Sequence, residues 1–480
     1  MKLVWILRRT AAPASLLLAA ACNTLEPEQE QLPQGVSANH DAQAGLAWTP
    51  GTLAPNAWVS VDFLRNLPGV NDATGGGGLV GARFWKSNNP EAVTGEGWLM
   101  TNGGNAPQRG GTATPVSGPV ALYLSHLNFM GQRNNQNQPT TNRDLYIHII
   151  ATNPSSSAIT ITGQGKLVAS NQWRFRQTSP AAKSAWYLCS EAWTNYALGN
   201  TGALDNVNQT VQPFKAVEIA KVRLPAQPSG QDVYTTEGRY ELNVAGGGAY
   251  FTTVATFDGN LNRAVAFASG TTAQQAPGNL GSPLITVDNS GEAYGREAGI
   301  ATHSAYFSGD VNVTLPTASG AHFMGLCYNT NARKPVAPGS TVYYQEQSAP
   351  YTMRLQSSTR TWAGYGHKYN ARLVLRNPNA TQRNVRISLG ANPINAPVNG
   401  ASNSVVFDAP VYTLVNNAAT QVHQVTLYNN QYAANPRGPQ RQNLRTVAVP
   451  GNGTVAVNVV CFVPGLGFGA GLQLDMETGI

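Results

Sequence analysis

The sequence predicts an all-β protein of two tandem antiparallel β-sandwich-like modules with little helix. Three observations lead to this prediction. Short runs rich in Val, Ile, Thr and Tyr recur between turn signals, 49 Gly and 30 Pro make turns frequent, and one strand pattern occurs twice. Charged residues are only 11% of the chain, so Asn, Gln, Ser and Thr must supply the polar surface, which suits sheets better than helices.

The repeated pattern is an Asn-Pro turn between two β-rich runs. The first copy occupies residues 144–163 around Asn153-Pro154, and the second surrounds Asn377-Pro378. β-Branched and aromatic residues favour strands, whereas Asn, Pro and Ser favour turns. Each copy therefore predicts a β-hairpin.

The first 21 residues have the form of a bacterial lipoprotein signal. Basic residues open the chain, an apolar stretch follows, and Ala19-Ala20-Ala21 stands directly before Cys22. This order predicts cleavage after Ala21 and lipidation of Cys22, with an ordinary secretory signal cut at the same place as the alternative. We expect an exported protein, lipid-anchored in the cell envelope at the outer membrane or cell surface.

The rest of the chain divides into four parts. Residues 22–55 are polar and proline-containing, which predicts a flexible tether. Residues 56–269 form an N-terminal β-module and residues 290–480 a C-terminal one, with a linker rich in Gly, Ala, Gln and Pro at residues 270–289. The best candidate for a helix is residues 181–198.

Predicted strands outside the repeated turns follow in two sets. The first set is residues 58–63, 120–124, 166–169, 220–224, 240–244 and 250–257, and the second is residues 311–315, 341–344, 351–355, 405–407, 421–428, 446–449 and 454–463. A proline turn precedes the last strand at residues 450–453, and residues 225–230 are its expected counterpart in the first module.

The C-terminal module is strongly basic. Residues 347–474 contain ten Lys or Arg and one acid, Asp408. Four of these arginines alternate with apolar residues in predicted strands or flank them, and they are the candidate anion-binding residues: Arg372, Arg376, Arg383 and Arg386. They predict affinity for an anionic envelope polysaccharide or envelope protein, with an ordinary solvated face as the alternative. No nucleic-acid-binding module is recognisable.

Aromatic residues supply the candidate ligand-stacking site. Trp362 and Tyr365 lie among glycines in a predicted loop beside basic residues. Flat apolar faces suit sugar rings and protein partners alike. The alternative for both is burial in the core.

Several short motifs, in a specific order over residues 80–475, resemble the family called domain of unknown function 3370, whose members are exported proteins mainly from cyanobacteria. The motifs are Asn88-Asn89-Pro90-Glu91-Ala92-Val93, Glu96-Gly97, His126-Leu127-Asn128-Phe129, Asn153-Pro154, Tyr294-Gly295-Arg296-Glu297-Ala298-Gly299, Gln347-Ser348-Ala349-Pro350, Gly364-Tyr365-Gly366 and Asn377-Pro378. The resemblance implies export and carries over no assigned activity and no catalytic residues. An Asn/Gln-rich insertion at residues 133–138 and the region 173–208 depart from the pattern.

Signatures of catalysis are weak in this chain. None of the seven histidines has the spacing of a metal motif, so no metal or cofactor is expected, and His126 with His148 is the one pair considered. Glu91 and Glu96 are the candidate catalytic carboxylates, with a turn or capping role as the alternative. Cys189, Cys327 and Cys461 are an odd set without a local signature, so their pairing cannot be read, and an apolar run around Cys461 predicts a buried thiol.

The sequence therefore favours a structural or binding module of the envelope over an enzyme. Its expected partners are a membrane, through the N-terminal lipid, and an envelope polymer or protein. The alternative is a carbohydrate-active hydrolase that uses loop carboxylates.

Overall fold

The computed structural model of the protein describes residues 51–53, 58–59, 82–88, 90–103, 113–131, 141–171, 183–228, 233–270, 274–278, 285–286, 293–294, 298–327, 334–335, 343–344, 351–354, 366–390, 405–429, 441–463 and 472–479. Most of these residues lie in strands, and two α-helices are present among them. The all-β, sandwich-like fold with little helix is confirmed.

The elements in chain order are β1 Gly51–Leu53, β2 Trp58–Val59, β3 Arg83–Ser87, β4 Ala92–Val93, β5 Gly97–Thr101, β6 Val116–Asn128, β7 Leu145–Thr152, β8 Ile159–Ser170, α1 Ala185–Ala197, a 3-10 turn Thr201–Ala203, β9 Asp205–Val211, β10 Ala216–Leu224, β11 Thr235–Thr256, α2 Leu261–Ala268, β12 Ile285–Thr286, β13 Ala293–Tyr294, β14 Ala298–Ser304, β15 Tyr306–Thr314, β16 Gly320–Cys327, β17 Lys334–Pro335, β18 Tyr343–Tyr344, β19 Tyr351–Arg354, β20 His367–Arg376, β21 Arg383–Gly390, β22 Val405–Val415, β23 Ala419–Asn429, β24 Arg441–Val449, β25 Thr454–Val463 and β26 Leu472–Thr478.

The first sandwich is organised by β11, the longest strand. Its residues 235–245 pair with β6 and β8, whereas its residues 250–256 pair with β5 and β7. The two parts of β11 thus belong to two layers, and β9 extends one layer through β8 while β10 extends the other through β7. Apolar side chains from both layers, such as Leu122, Ile147 and Phe251, form its core.

The second sandwich consists of two separate sheets. One has the order β1-β15-β20-β25-β22-β23, and the other has the order β2-β16-β26-β21-β24. Inward-facing residues of both sheets, such as Leu373, Ile387, Val411 and Leu474, share one core. The pairs β12 with β13 and β17 with β18 are small separate ribbons.

Some strands belong to the sandwich that is formed mainly by the other half of the sequence. β14 and β19 extend the first sandwich next to β3, and β1 pairs with β15 in the second. Five pairs, including β3 with β6 and β15 with β20, are parallel, because strands joined by long connections need not run antiparallel. The sheets are therefore mixed where a purely antiparallel arrangement was expected. Within the predicted linker, Gln274 and Pro277 accept hydrogen bonds through their carbonyl groups from Trp98 and Thr94.

Both Asn-Pro turns are present, but the prediction of hairpins is wrong. β7 pairs with β10 and β11, and β8 pairs with β9 and β11, so β7 and β8 lie in different layers. The second turn likewise carries the chain from β20 in one sheet to β21 in the other. Each turn is an arch between the layers of a sandwich.

The buried asparagine of each arch explains how the chain can turn inside the protein. Nδ2 of Asn153 donates to the carbonyl oxygens of Ser157, Val211 and Gln212 at 2.8, 3.0 and 3.2 Å. Nδ2 of Asn377, 224 positions later, donates to the equivalent oxygens of Thr381, Val449 and Pro450 at 2.9, 3.1 and 3.1 Å. One amide side chain therefore satisfies carbonyl groups that sheet pairing leaves open.

Each arch is held against a second turn, and the two second turns also match. The backbone amide of Asn153 donates to the Lys215 carbonyl, and that of Asn377 donates to the Gly453 carbonyl, both at 2.9 Å. The counterpart of residues 450–453 is therefore residues 212–215, between β9 and β10. The expected counterpart at residues 225–230 is wrong, because β10 ends at Leu224 and only its beginning packs against the arch.

Helix α1 confirms the predicted helix and connects the two sandwiches. Ser184 begins it by accepting a hydrogen bond from the Tyr187 amide at 3.0 Å, and its own hydroxyl donates to Asp408 of β22 at 2.8 Å. The sequence reading missed α2, which Asn260 caps by accepting from the Arg263 amide at 3.1 Å. Its eight residues are too few to show a clear helical period.

Candidate functional site

The candidate site is a layer of buried charges on one face of β11. Alternation along this strand sends Tyr240 and Leu242 into the first core and sends Glu237, Arg239 and Glu241 to the opposite face. That face is buried because α1, Gly366 just before β20 and Phe462 near the end of β25 cover it. Burying charge is costly unless it is compensated, so the surroundings of these residues decide what the site can do.

Two neighbouring strands add to the layer. The pairing register places Tyr123 of β6 opposite Arg239, and Lys86 of β3 opposite Tyr123. The Lys86 ammonium lies 5.8 Å from the centre of the Tyr123 ring, within the range of a cation–π contact. Lys86 is fully buried. A row of cation, aromatic ring and cation therefore crosses three strands.

Arg239 ties three parts of the fold together. Its Nη2 donates to Glu241 at 2.9 Å and its Nη1 to the carbonyl of Gly366, just before β20. The guanidinium also lies 5.4 Å from the ring centre of Trp193 on α1 and 5.2 Å from that of Phe462 on β25. A single side chain of the first sandwich thus contacts α1 and the second sandwich.

Beside Arg239 lies a small crevice, partly open to solvent, with room for about one water molecule. It is lined by Tyr123, Cys189, Ser190, Trp193, Glu237, Arg239, Gly366 and Phe462. Burial raises the pKa of Glu237 well above its usual value, while the hydroxyls of Tyr123 and Ser125 and the charge of Lys86 act in the opposite direction. Burial likewise raises the pKa of the Cys189 thiol. Both shifts favour protonated forms, the opposite of what a general base or nucleophilic thiol requires.

We expect Glu237→Gln to stabilise the protein at neutral pH and to leave it nearly unchanged near pH 4. A carboxyl whose pKa is higher in the folded than in the unfolded state binds more protons when folded, so its contribution to stability falls as pH rises above about 4.3. Glutamine has the same shape and no charge to bury. Urea unfolding of the two proteins at pH 4, 6 and 8 measures the difference.

The matched control for Glu237→Gln is Glu191→Gln, whose carboxylate is partly exposed and lies 2.6 Å from the Lys183 ammonium. That variant should show no gain that grows with pH. A stability difference between wild type and Glu237→Gln that is equal at pH 4 and pH 8 would contradict the assignment of a buried, protonated Glu237.

The two described cysteine side chains are free, buried thiols. Cys461 belongs to the second core, as predicted, and burial raises its pKa to about 12. Cys327 ends β16, and its side chain lies outside the described part of the structure.

The histidines considered as a metal pair are each held by hydrogen bonds. His126 donates through Nδ1 to the Pro90 carbonyl at 2.7 Å and accepts at Nε2 from Ser87 at 2.9 Å, and burial lowers its pKa to about 4. His148 donates to Glu218 at 2.6 Å and contacts Thr256 at 2.8 Å. Within the described ranges, no three His, Cys, Asp or Glu residues form a group suited to a metal.

The candidate catalytic carboxylates have different surroundings. Glu96 is only 4% exposed, accepts from the Phe257 amide at 2.7 Å and forms an ion pair with Arg263 of α2. Glu91 precedes β4, its carbonyl accepts from the Leu127 amide, and its charge raises the pKa of Glu237. Glu96 therefore joins α2 to the first sandwich, and Glu91 lies towards the buried charged layer.

The four candidate arginines are divided between the two sheets of the second sandwich. Arg372 and Arg376 lie on β20, and Arg383 and Arg386 lie on β21. Arg372 pairs with Asp310 at 2.6 Å, and Arg383 donates to the Thr317 carbonyl. The arrangement does not gather the four side chains on one sheet face.

Arg386 belongs to an ion-pair network on the outer side of β26. Its Nε donates to Glu477 at 2.9 Å, and Arg441 contacts Glu477 at 2.6 Å and Asp475 at 2.5 Å. Burial alone would raise the pKa of Glu477, but the hydrogen bond from Arg386 and the charges of Arg441 and Arg386 outweigh it and lower that pKa. Two acids neutralise two of the C-terminal arginines.

Cys22, Trp362 and Tyr365 lie outside the residues that the structure describes. The sequence reading missed Lys86, Glu237, Arg239 and Glu241. A signal for the last three was present, since Glu237-Gly238-Arg239-Tyr240-Glu241 puts charges at every second position and thus on one face of a strand. Nothing in the local sequence indicates that this face is covered.

Comparisons with known proteins leave the family open. No family model matches the chain, and no curated protein matches it. Similar solved structures include an isomalto-dextranase from Arthrobacter globiformis, with 10% identity over 75% of this chain and 40% of that chain and a TM-score of 0.15. Others are the CUB1-EGF-CUB2 region of human MASP-1/3 (8% identity, 74% and 99% coverage, TM-score 0.14) and a protein from Parabacteroides distasonis (6%, 81% and 98%, TM-score 0.12).

This chain thus spans 40% of the length of the isomalto-dextranase. Likenesses at these TM-scores carry no argument about function. Separately, none of the helices in the described ranges has the length and apolar character needed to cross a membrane.

Proposed function

We propose that this protein is an exported structural or binding module of the cell envelope, anchored to a membrane through a lipid on Cys22. Its partners are envelope polymer or neighbouring envelope proteins. The lipoprotein-type start and the polar stretch before β1 support the anchor and tether, although residues 51–53 of the expected tether pair with β15 in the second sandwich. The two sandwiches supply a body that the tether would hold off the membrane.

The observation that carries the proposal is that the buried charges join separate parts of the fold. Arg239 connects β11 to Glu241, to the Gly366 carbonyl and to the rings of Trp193 and Phe462. Ser184 and Asp408 add a second link between α1 and the second sandwich. Buried charges that must be compensated specify one arrangement of the parts they join, which suits a rigid module that presents surfaces to partners.

The hydrolase alternative has less support. A retaining or inverting glycosidase needs two carboxyl groups facing one bound sugar. The carboxylate of Glu96 already accepts from the Phe257 amide and pairs with Arg263. These contacts favour a structural role for Glu96, as in the turn or capping role predicted as the alternative to catalysis. Within the described part of the chain, we know of no observation that favours hydrolysis.

The first test is the state and the retention of the native protein. Intact mass of the membrane-extracted protein should exceed that of the chain from Cys22 onward by acyl groups, and Cys22→Ala should abolish this difference. The body should sediment with envelope fractions, and because acids neutralise Arg372, Arg386 and Arg441, we expect retention to fall only moderately between low and high salt. Absence of lipid together with absence of retention would overturn the proposal.

A further inference from the structure

Phe214 occupies a backbone conformation that suits its residue type poorly. Four non-glycine residues of the described part have positive φ, and three of them are asparagines: Asn416, Asn417 and Asn452. The fourth is Phe214, with φ of 55°. Asparagine tolerates this left-handed region well, whereas a bulky residue there is strained.

The internal repeat shows what an unstrained residue at this position looks like. Phe214 and Asn452, 238 positions apart, both occupy the third position of their turns and have φ of 55° and 54°. In both turns the fourth residue's amide donates to the first residue's carbonyl, from Lys215 to Gln212 at 3.1 Å and from Gly453 to Pro450 at 3.0 Å. A turn with positive φ at the third position favours Gly or Asn. The first repeat carries phenylalanine in the same geometry.

The phenylalanine is also not used for packing. Its side chain is 69% exposed, the largest exposure among the large hydrophobic residues of the described ranges. A strained and exposed aromatic gains nothing for folding, and backbone outliers of this kind cluster at functional positions. The residue therefore points to a contact with something outside this chain.

The surroundings of Phe214 indicate the chemistry of that contact. β9 leads into the turn and, because Val207 and Val211 pack into the first core, it turns Asn206, Asn208 and Thr210 to solvent. Among the described strands, β9 pairs only with β8 and so forms a sheet edge. Asp205, at the start of β9, is paired with Lys166 at 2.9 Å, and the turn adds one exposed cation, Lys215, beside Phe214. The solvent-facing side chains of β9 that lead to Phe214 are therefore mostly uncharged amides and a hydroxyl.

We propose that the β9–β10 turn is a contact site for a neutral polysaccharide, with Phe214 stacking on the C–H face of a pyranose ring and the polar side chains of β9 hydrogen-bonding its hydroxyl groups. An aromatic face with a few placed polar groups is the usual form of such recognition. This inference rests on the proposed function and names the polymer class that the envelope module would hold.

The test compares the full chain carrying Phe214→Asn with wild type. This substitution installs the residue found at the equivalent Asn452, so the midpoint of thermal unfolding should rise. Affinity electrophoresis in gels containing dextran, starch or soluble cellulose derivatives should show retardation of wild type by at least one of them and a loss of about tenfold or more in affinity for the variant. Phe214→Trp keeps an aromatic face and should retain binding.

Val422→Thr is the matched control, because Val422 is an exposed hydrophobic residue (45%) on β23 of the second sandwich. It should bind as wild type does. Equal binding of wild type and Phe214→Asn to every polysaccharide would overturn the inference, as would a loss seen only with anionic lipid vesicles. If wild type binds envelope fractions and Phe214→Asn binds them and the polysaccharides equally well, the proposed function stands and this inference fails. If a polysaccharide binds through Phe214 while the protein is not retained on envelope fractions, Phe214 is a sugar contact and the proposed envelope function fails.

Discussion

Asn153→Asp is expected to destabilise the protein by about 3 kcal/mol or more, although the two side chains have the same shape. The amide nitrogen of Asn153 donates to three carbonyl oxygens within 3.2 Å. A carboxylate in its place would face three acceptors with a negative charge, and protonation would restore only one donor. Because Asn153 and its bond to the Val211 carbonyl are buried, that carbonyl would be left without a partner.

The internal repeat supplies a second test of this effect. Asn377→Asp should cost a similar amount, since the Asn377 amide makes the equivalent three bonds. Asn384→Asp, on an exposed position of β21, is the control and should change stability little. Denaturant unfolding of the three variants measures the differences. If Asn153→Asp unfolds at the same denaturant concentration as Asn384→Asp, the arches do not depend on these amides.

Gly366→Ala is the second substitution with a large expected effect, again about 3 kcal/mol or more. Gly366 has φ of 77°, and a Cβ atom there would lie 2.4 Å from Cγ of the Tyr123 ring. The ring lies in the buried charged layer, and the Gly366 carbonyl accepts from Arg239, so neither side can move without breaking contacts of that layer. The substitution should lower the thermal unfolding midpoint.

Gly118→Ala separates the two causes of this cost. Gly118 has nearly the same φ, 74°, but a Cβ there would have no atom within 4 Å. This control should therefore lose only the backbone contribution, about 1 to 2 kcal/mol. If both variants lost the same stability, contact with Tyr123 would not matter, and the close approach of the two sandwiches at Gly366 would not be a determinant of the fold.

Much of the secondary structure was predictable from local patterns. The recurrence around Asn153 and Asn377 reflects a true structural repeat, and the predicted helix at residues 181–198 contains α1. The pairing of strands was harder to predict from the sequence. A turn between two strands has the same sequence pattern whether the strands pair with each other or enter opposite layers. Only the strand pairing of the folded chain distinguishes an arch from a hairpin, and the bonds from the buried amides to Val211 and Val449 accompany it.

The charges illustrate the same difference. A count over residues 347–474 makes the C-terminal module basic, yet Asp475 and Glu477, just beyond that window, pair with Arg386 and Arg441. Asp310, farther back in the chain, pairs with Arg372. Electrostatic neutralisation depends on distance in space, and strand pairing brings together residues that are far apart in sequence.

The sequence by itself determined the all-β class, many of the strands, the repeat and α1, because these follow from local propensity and periodicity. It did not indicate β3, β5, β9, β14, β16 or β26. The tertiary structure alone decided which layer each strand enters, which face of β11 is covered and which charges are paired. Those outcomes depend on contacts between segments that are distant in the sequence. Such contacts form, and stabilise the protein, only when the two sandwiches and α1 pack together. Phe214 shows both kinds of information. Its identity is given by the sequence, but its positive φ and its exposure are known only from the folded chain, where Asn452 occupies the equivalent position.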